Sequence, residues 1–241
     1  MMQPPISLPG ISEMETRIME FPQDCSIGVL SVRTDGSDDE WVDFAQAIGN
    51  VAVPCGKELR LVVSPTASFD PQLLANLEST ALSVLEWVST GRVNDAVIAH
   101  IQHLTSLKGL ALWETNIANE SLKYVGGLRN LQWLDIGDTR ITDDGLRYLL
   151  ELPFLHQLSL LNTRLTDEGL DYIERLFNLE SLDLMNTLVS DVGVEHLVNL
   201  VRLKSLRIFQ TRISEAGYNK LRSALPRCQI RFRHPHLAEQ K

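Results

Sequence analysis

Cysteine is scarce. The 241 residues hold three, Cys25, Cys55 and Cys228, widely separated, with no CxxC pair and no histidine at ligand spacing beside them. That spacing supports neither a disulfide framework nor a zinc site, and fits free thiols in a reducing compartment. Long apolar runs are missing too, so no membrane-spanning helix is expected. The opening MMQPPISLPGISEMETR has prolines and acids where a secretory signal needs a basic flank and an apolar stretch, and a cytoplasmic protein is expected. Positive charge is in deficit, 22 Lys and Arg against 31 Asp and Glu, for a net charge of −9. Nucleic acid and anionic membranes both attract an excess of basic residues, so neither is an expected partner.

Catalytic signatures are lacking as well. The chain has no GxSxG, no HExxH and no glycine-rich phosphate or dinucleotide loop. His100, His103 and His156 have no evident partner, and Glu195 and His196 lie on a helical segment whose default is exposure. DGSDDE lacks the spacing and terminal glutamate of a calcium loop. No catalytic, cofactor or metal residue is assigned, no cofactor is expected, and binding rather than catalysis is the expected activity.

What is present is a period. Five phrases align without a gap: LKGLALWETNI from Leu107, LQWLDIGDTRI from Leu131, LHQLSLLNTRL from Leu155, LESLDLMNTLV from Leu179 and LKSLRIFQTRI from Leu203. Within each, the last two apolar residues of LxxLxL sit two apart and face one side of a short strand. A threonine recurs in register at Thr115, Thr139, Thr163, Thr187 and Thr211, placed to hydrogen-bond the backbone as the chain leaves the sheet. Each phrase is followed by one such as ITDDGLRYLLEL or LTDEGLDYIERL, apolar every three to four residues, which predicts a short helix. Thr142 or Asp143, Thr166 or Asp167, and Ser190 or Asp191 stand at the expected N-caps, and Gly145, Gly169, Gly193 and Gly217 open the helices. One strand–turn–helix unit cannot bury both of its apolar faces, so the units must stack.

The LxxLxLxxT phrase followed by ITDxGLxxL resembles the leucine-rich-repeat family, in particular the ITDxGL-type repeats of many bacterial proteins and, more loosely, the cysteine-containing subclass. The likeness covers about residues 104–226. It implies an α/β solenoid with a curved parallel sheet on the concave side and short helices on the convex side. Threonine stands where that family more often carries Asn or Cys, which suggests a subfamily.

Four segments are expected. Residues 1–24 read as a partly disordered or docked tail. Residues 25–103 read as an N-terminal cap with irregular repeats: a strand in SIGVLSVR, a helix in WVDFAQAIGN, then ELRLVV with a helix whose N-cap is Asp70 and first residue Pro71. Leu82 and Leu85 belong to an imperfect unit one residue off the period. Residues 104–227 are the regular 24-residue repeats, and 228–241 are a closing strand, CQIRF, with a tail that covers its edge.

Residues between the core leucines point out of the sheet and are the candidate site. Trp113, Leu161, Met185 and Phe209 form an apolar stripe interrupted by Gly137; Trp133 flanks it, and Asp135, Asp183 and Arg207 add charge. Aromatics and methionine with few charges suit the centre of a protein interface. The expected function is a protein-binding scaffold or adaptor. The alternatives are packing of these residues on each other or the N-terminal cap, self-association into a homo-oligomer, and a cryptic enzyme or ligand binder. Arg140, Arg164 and Arg212 follow the ladder threonine and are expected to pair with Asp143, Asp144, Asp167 and Glu168.

Overall fold

The computed structural model describes residues 15–21, 23, 26–34, 40–64, 72–87 and 93–232, without the Leu73 side chain. Ten strands form one sheet. From its N-terminal edge these are β3 (Val42–Gln46), β2 (Gly28–Thr34), β5 (Lys57–Val63), β6 (Val84–Trp87), β7 (Gly109–Ala111), β8 (Trp133–Asp135), β9 (Gln157–Ser159), β10 (Ser181–Asp183), β11 (Ser205–Arg207) and β12 (Gln229–Arg231). From β5 to β12 every neighbouring pair is parallel, while β2 pairs antiparallel with both β5 and β3. The last six strands are three residues long, too short to hold together without a stack on each side.

Register fixes the core. Leu61, Leu85, Leu110, Leu134, Leu158, Leu182, Leu206 and Ile230 pair in one line across the sheet. The period slips by one between Leu85 and Leu110, as the sequence indicated. Behind that line lie Leu112, Ile136, Leu160, Leu184 and Ile208, all buried. The helices supply the opposite wall: α2 (Asp95–Ala99), α3 (Asn119–Val125), a 3-10 helix (Asp143–Glu151), α4 (Leu170–Ile173), α5 (Val194–Leu197) and α6 (Glu215–Ala224). Leu122, Leu146, Leu170 and Val194 face inward at one height, and Val125, Leu149, Ile173, Leu197 and Leu221 at another. Each buried leucine is worth about 1.5–3 kcal/mol of transfer free energy, so the repeats are held by their columns and little by three-residue ladders.

The ladder threonines do what their position suggested. Thr115, Thr139, Thr163 and Thr187 are buried and donate their hydroxyls at 2.7 Å to the carbonyls of Leu112, Ile136, Leu160 and Leu184; Thr211 does so to Ile208 at 3.0 Å. The residue before each, Glu114, Asp138, Asn162, Asn186 and Gln210, is left-handed, φ 52–56°. That turns the chain out of the sheet, and Asp and Asn tolerate it best.

The acids behave differently from the helix-capping expectation. Asp143 accepts from the amide (2.9 Å) and hydroxyl (2.6 Å) of Thr166, one repeat on; Asp167 accepts from Ser190 (2.8 and 2.6 Å), and Asp191 from Ser214 (2.8 and 2.6 Å). Asn119 Oδ1 likewise accepts from the Thr142 amide at 2.9 Å, while its Nδ2 donates to the Thr142 hydroxyl at 2.8 Å. These carboxylates fasten the next repeat. Own-helix caps are made by Asn94 at α2 and Ser214 at α6, whereas Thr142 makes none. Because Asp143 and Asp167 are already taken, the arginine pairing expected from sequence does not form: among the described residues Arg140, Arg164 and Arg212 make no ion pair, and Arg140 donates to the Asn116 carbonyl at 2.8 Å.

Two N-terminal expectations change. WVDFAQAIGN, read as a helix, contains the edge strand β3; pairing with β2 satisfies backbone groups that a helix there would leave open on β2. Within the segment read as a tail, Thr16–Glu20 is a strand, β1, antiparallel to β4 (Asn50–Pro54), and Met19 and Phe21 join the core. A short helix, α1 (Gln72–Ala75), follows β5. Asp70, Pro71, Cys25, most of DGSDDE and residues 233–241 lie outside the described residues. No helix among the described residues is long and apolar enough to cross a membrane.

Candidate protein-binding face

The eight candidate residues come to one face of the sheet, as alternation along each strand requires. Trp113, Gly137, Leu161, Met185 and Phe209 follow the second core residue of each unit. Their line is held by one more rung of backbone bonds: the amides of Glu114, Asp138, Asn162 and Asn186 donate at 2.8–3.0 Å to the carbonyls of Gly137, Leu161, Met185 and Phe209. The four side chains are half-buried rather than fully exposed.

Glycines explain how the tryptophans fit. A Cβ on Gly109 would lie 2.1 Å from Trp133 Cε2, so the Trp133 indole lies across the backbone of the preceding repeat. A Cβ on Gly137 would lie 3.1 Å from Trp113 Cδ1 and 3.2 Å from Leu161 Cβ, and Trp113 Nε1 donates to Asp138 Oδ2 at 2.9 Å. Both rings therefore lean on neighbouring repeats, part of the mutual packing weighed above, and both are pre-ordered.

A charged row runs alongside. Asp135 Oδ1 accepts from the Gly137 amide and Asp183 Oδ1 from the Met185 amide, each at 3.0 Å. Asp183 Oδ2 meets Arg207 Nη1 at 2.8 Å, and the Asp183 side chain is 10% exposed. Burial pushes the Asp183 carboxyl above its ordinary range; the Met185 amide and Arg207 oppose that, and Asp135 adds to it. Sequence reasoning missed that the row continues into the N-terminal region. Glu86 pairs in register with Ala111, its carboxyl is also raised by burial against the opposing pull of Arg60, and Arg60 lies 3.8 Å away. The Trp41 ring carries the guanidinium groups of Arg33 and Arg60 at 4.6 and 5.1 Å. Glu58, buried, is paired with Arg33 at 2.6 Å and Lys108 at 2.7 Å. The one-residue slip in period hid Glu86, and Trp41 sat in a segment read as helix.

A carboxylate whose native pKa is raised gives a signed pH effect. Between 3.8 and the raised native value, folded Asp183 keeps a proton that the unfolded chain has lost, so its contribution to stability falls as pH rises through that window. Asp183→Asn should gain stability relative to wild type as pH rises from acid to neutral. Urea unfolding across that range reads it, and parallel pH profiles for the two proteins would refute it.

Strongly exposed large apolar side chains lie elsewhere, Ile18 and Val192 among them. Phe154, Phe177 and Val201, 58, 71 and 79% exposed, sit in the turns that lead from the helices into the next strands. Of the described histidines, His103 contacts the Leu77 carbonyl at 2.9 Å, His156 the Phe154 carbonyl at 3.1 Å and His196 the Glu174 carboxylate at 2.9 Å.

No family model and no curated protein matches the sequence. Among solved structures the chain is similar to an internalin of Listeria monocytogenes, 21% identical with a TM-score of 0.50, over 71% of this chain and 53% of that one. It is similar also to internalin C2 of the same organism, 24% identical, TM-score 0.48, over 72 and 81%. A leucine-rich-repeat protein of Leptospira interrogans is 26% identical, TM-score 0.47, over 68 and 40%. The chain thus spans about 40% and 53% of the length of two of these three. At these identities the likeness is one of fold, and the stack is a leucine-rich-repeat solenoid.

Proposed function

We propose that this leucine-rich-repeat solenoid is a binding scaffold or adaptor whose concave face recognises another protein. The observation that carries the reading is the half-buried apolar line of Trp113, Leu161, Met185 and Phe209 on a rigid sheet, bordered by Asp135, Asp183 and Arg207. Pre-ordered aromatic and methionine side chains cost little entropy on binding, and a surrounding charged row supplies register. His103 and His156 are engaged by backbone carbonyls, which favours binding over catalysis. The thiols of Cys55 and Cys228 are free, in keeping with a reducing, cytoplasmic setting.

The test is affinity capture from the source cell with wild type and Leu161→Asp/Phe209→Asp, both checked for folding by circular dichroism. A protein held by the wild type and lost by the folded variant supports the concave face; each anchor should contribute at least about 1–2 kcal/mol. Phe177→Ser/Val201→Ser is the companion arm, and loss there with retention in the concave variant moves the interface to the helix-to-strand turns. Self-association is the second reading, favoured by β3 at the end of the sheet with Val42 exposed. Light scattering that shows mass rising with concentration would select it.

A further inference from the structure

On the helical side of the stack, one junction breaks the repeat pattern twice at the same spot. His196 occupies the column held by Tyr124, Tyr148 and Tyr172 in the three preceding units, where each ring packs partly buried on the core. Glu174 occupies a column that runs Gly126, Leu150, Glu174, Val198 and Arg222, and its two immediate neighbours, Leu150 and Val198, pack on the core as well. Repeats diverge freely where a side chain only faces solvent. Here two partly buried positions have changed from packing residues to metal-ligand types, and the two side chains meet: His196 Nδ1 lies 2.9 Å from Glu174 Oε2, with the side chains 30 and 27% exposed. Asp171, one helical turn before Glu174 and so on the same face, is the third member. One ligand atom from each of the three lies within 4.8 Å of the others.

We propose that Asp171, Glu174 and His196 bind a divalent ion of the zinc class across the junction of α4 and α5. Imidazole and carboxylate ligands sit at about 2.0–2.2 Å from Zn2+, which places tetrahedral ligands about 3.4 Å apart, and rotamer adjustment closes the difference from the present spacing. The ion takes the position now filled by the hydrogen between His196 Nδ1 and Glu174. A nitrogen ligand disfavours Mg2+ and Ca2+, which prefer all-oxygen shells. Asn199 Nδ2 donates to Glu174 Oε2 at 3.3 Å and orients the carboxylate, while Glu195 is engaged by Lys220 and stands apart from the site. Three protein ligands leave the fourth position to water or to a group from a partner. The ion would tie two neighbouring repeats together, a role independent of the concave face.

The experiment uses the full chain with His234 and His236 changed to alanine, so that the histidines of the C-terminal segment do not compete. Titration with Zn2+ by calorimetry, and with Co2+ by its visible absorption, should show one ion per chain with micromolar affinity, undisturbed by millimolar Mg2+. His196→Tyr restores the side chain of the preceding repeats and so keeps the packing; it should weaken binding by roughly tenfold or more, as should Glu174→Leu. Saturating Zn2+ should raise the Tm of the parent and leave that of His196→Tyr unchanged. Absence of binding at millimolar Zn2+, or equal affinity in the parent and either folded variant, would overturn the assignment.

Discussion

Asp167→Ala is expected to lower stability by about 3 kcal/mol, an unusual loss for a loop acid. Its carboxylate accepts from the Ser190 amide at 2.8 Å, the Ser190 hydroxyl at 2.6 Å and the Gly193 amide at 3.0 Å, all belonging to the next repeat. Hydrogen bonds to a charged group contribute about 1.5–3 kcal/mol each when well made, and removal also strands the Ser190 amide, whereas the Gly193 amide keeps the Ser190 carbonyl at 3.1 Å. The same carboxylate explains the glycine of the motif. A Cβ on Gly193 would fall 2.4 Å from Asp167 Oδ1 and 2.4 Å from Leu170 Cδ1, so glycine at this position makes room for the previous repeat's aspartate. Gly145, Gly169 and Gly217 meet Asn119, Asp143 and Asp191 in the same way. Gly193→Ala should therefore destabilise through the same contact, and the double variant should cost less than the sum of the singles by on the order of 1 kcal/mol. Urea unfolding of the four proteins measures the cycle. Strict additivity, or an Asp167→Ala within about 0.5 kcal/mol of wild type, would show that Asp and Gly recur for unrelated reasons.

Leu182→Ala should cost about 3–5 kcal/mol. Leu182 is 1% exposed at the centre of β10, between Leu158 and Leu206 in register on either side. The strands are fixed by those neighbours, so the cavity cannot collapse, and a solenoid has no distant contact to compensate. Loss of the contact between repeats should also uncouple the stack, giving a broader unfolding transition than wild type. Leu188→Ala, at a side chain 42% exposed, should stay within about 0.5 kcal/mol of wild type. Equal losses at the two leucines would mean that area of side chain, and not its place in the column, sets stability.

The candidate site was legible in the sequence only in part. Its eight residues could be assigned to one face because strand alternation and a fixed period leave little choice. Their environment was not legible. Trp113 and Trp133 lie down on Gly137 and Gly109, and Asp183 is buried against Arg207, because the neighbour in space is a residue of an adjacent unit. Glu86, Trp41 and Arg60 escaped notice because the period slips before β7 and because antiparallel pairing made a strand of WVDFAQAIGN. The cluster of Asp171, Glu174 and His196 spans two repeats with no motif spacing, and only the stacked helices bring it together.

By itself the sequence determined the repeat unit, its strand and helix halves, the leucine columns and the side of the sheet each residue takes. These follow from periods of two and of three to four residues repeated every 24, and a chain with that pattern can bury its apolar faces only by stacking. The tertiary structure decided what passes between units: that Asp167 serves the next repeat instead of its own helix, that Arg140 is left to a backbone carbonyl, that the glycines yield space to carboxylates and indoles, and that β3 extends the sheet. The first three depend on groups about one period apart, set by the packing of one repeat on the next, and the last on antiparallel backbone pairing of β3 with β2.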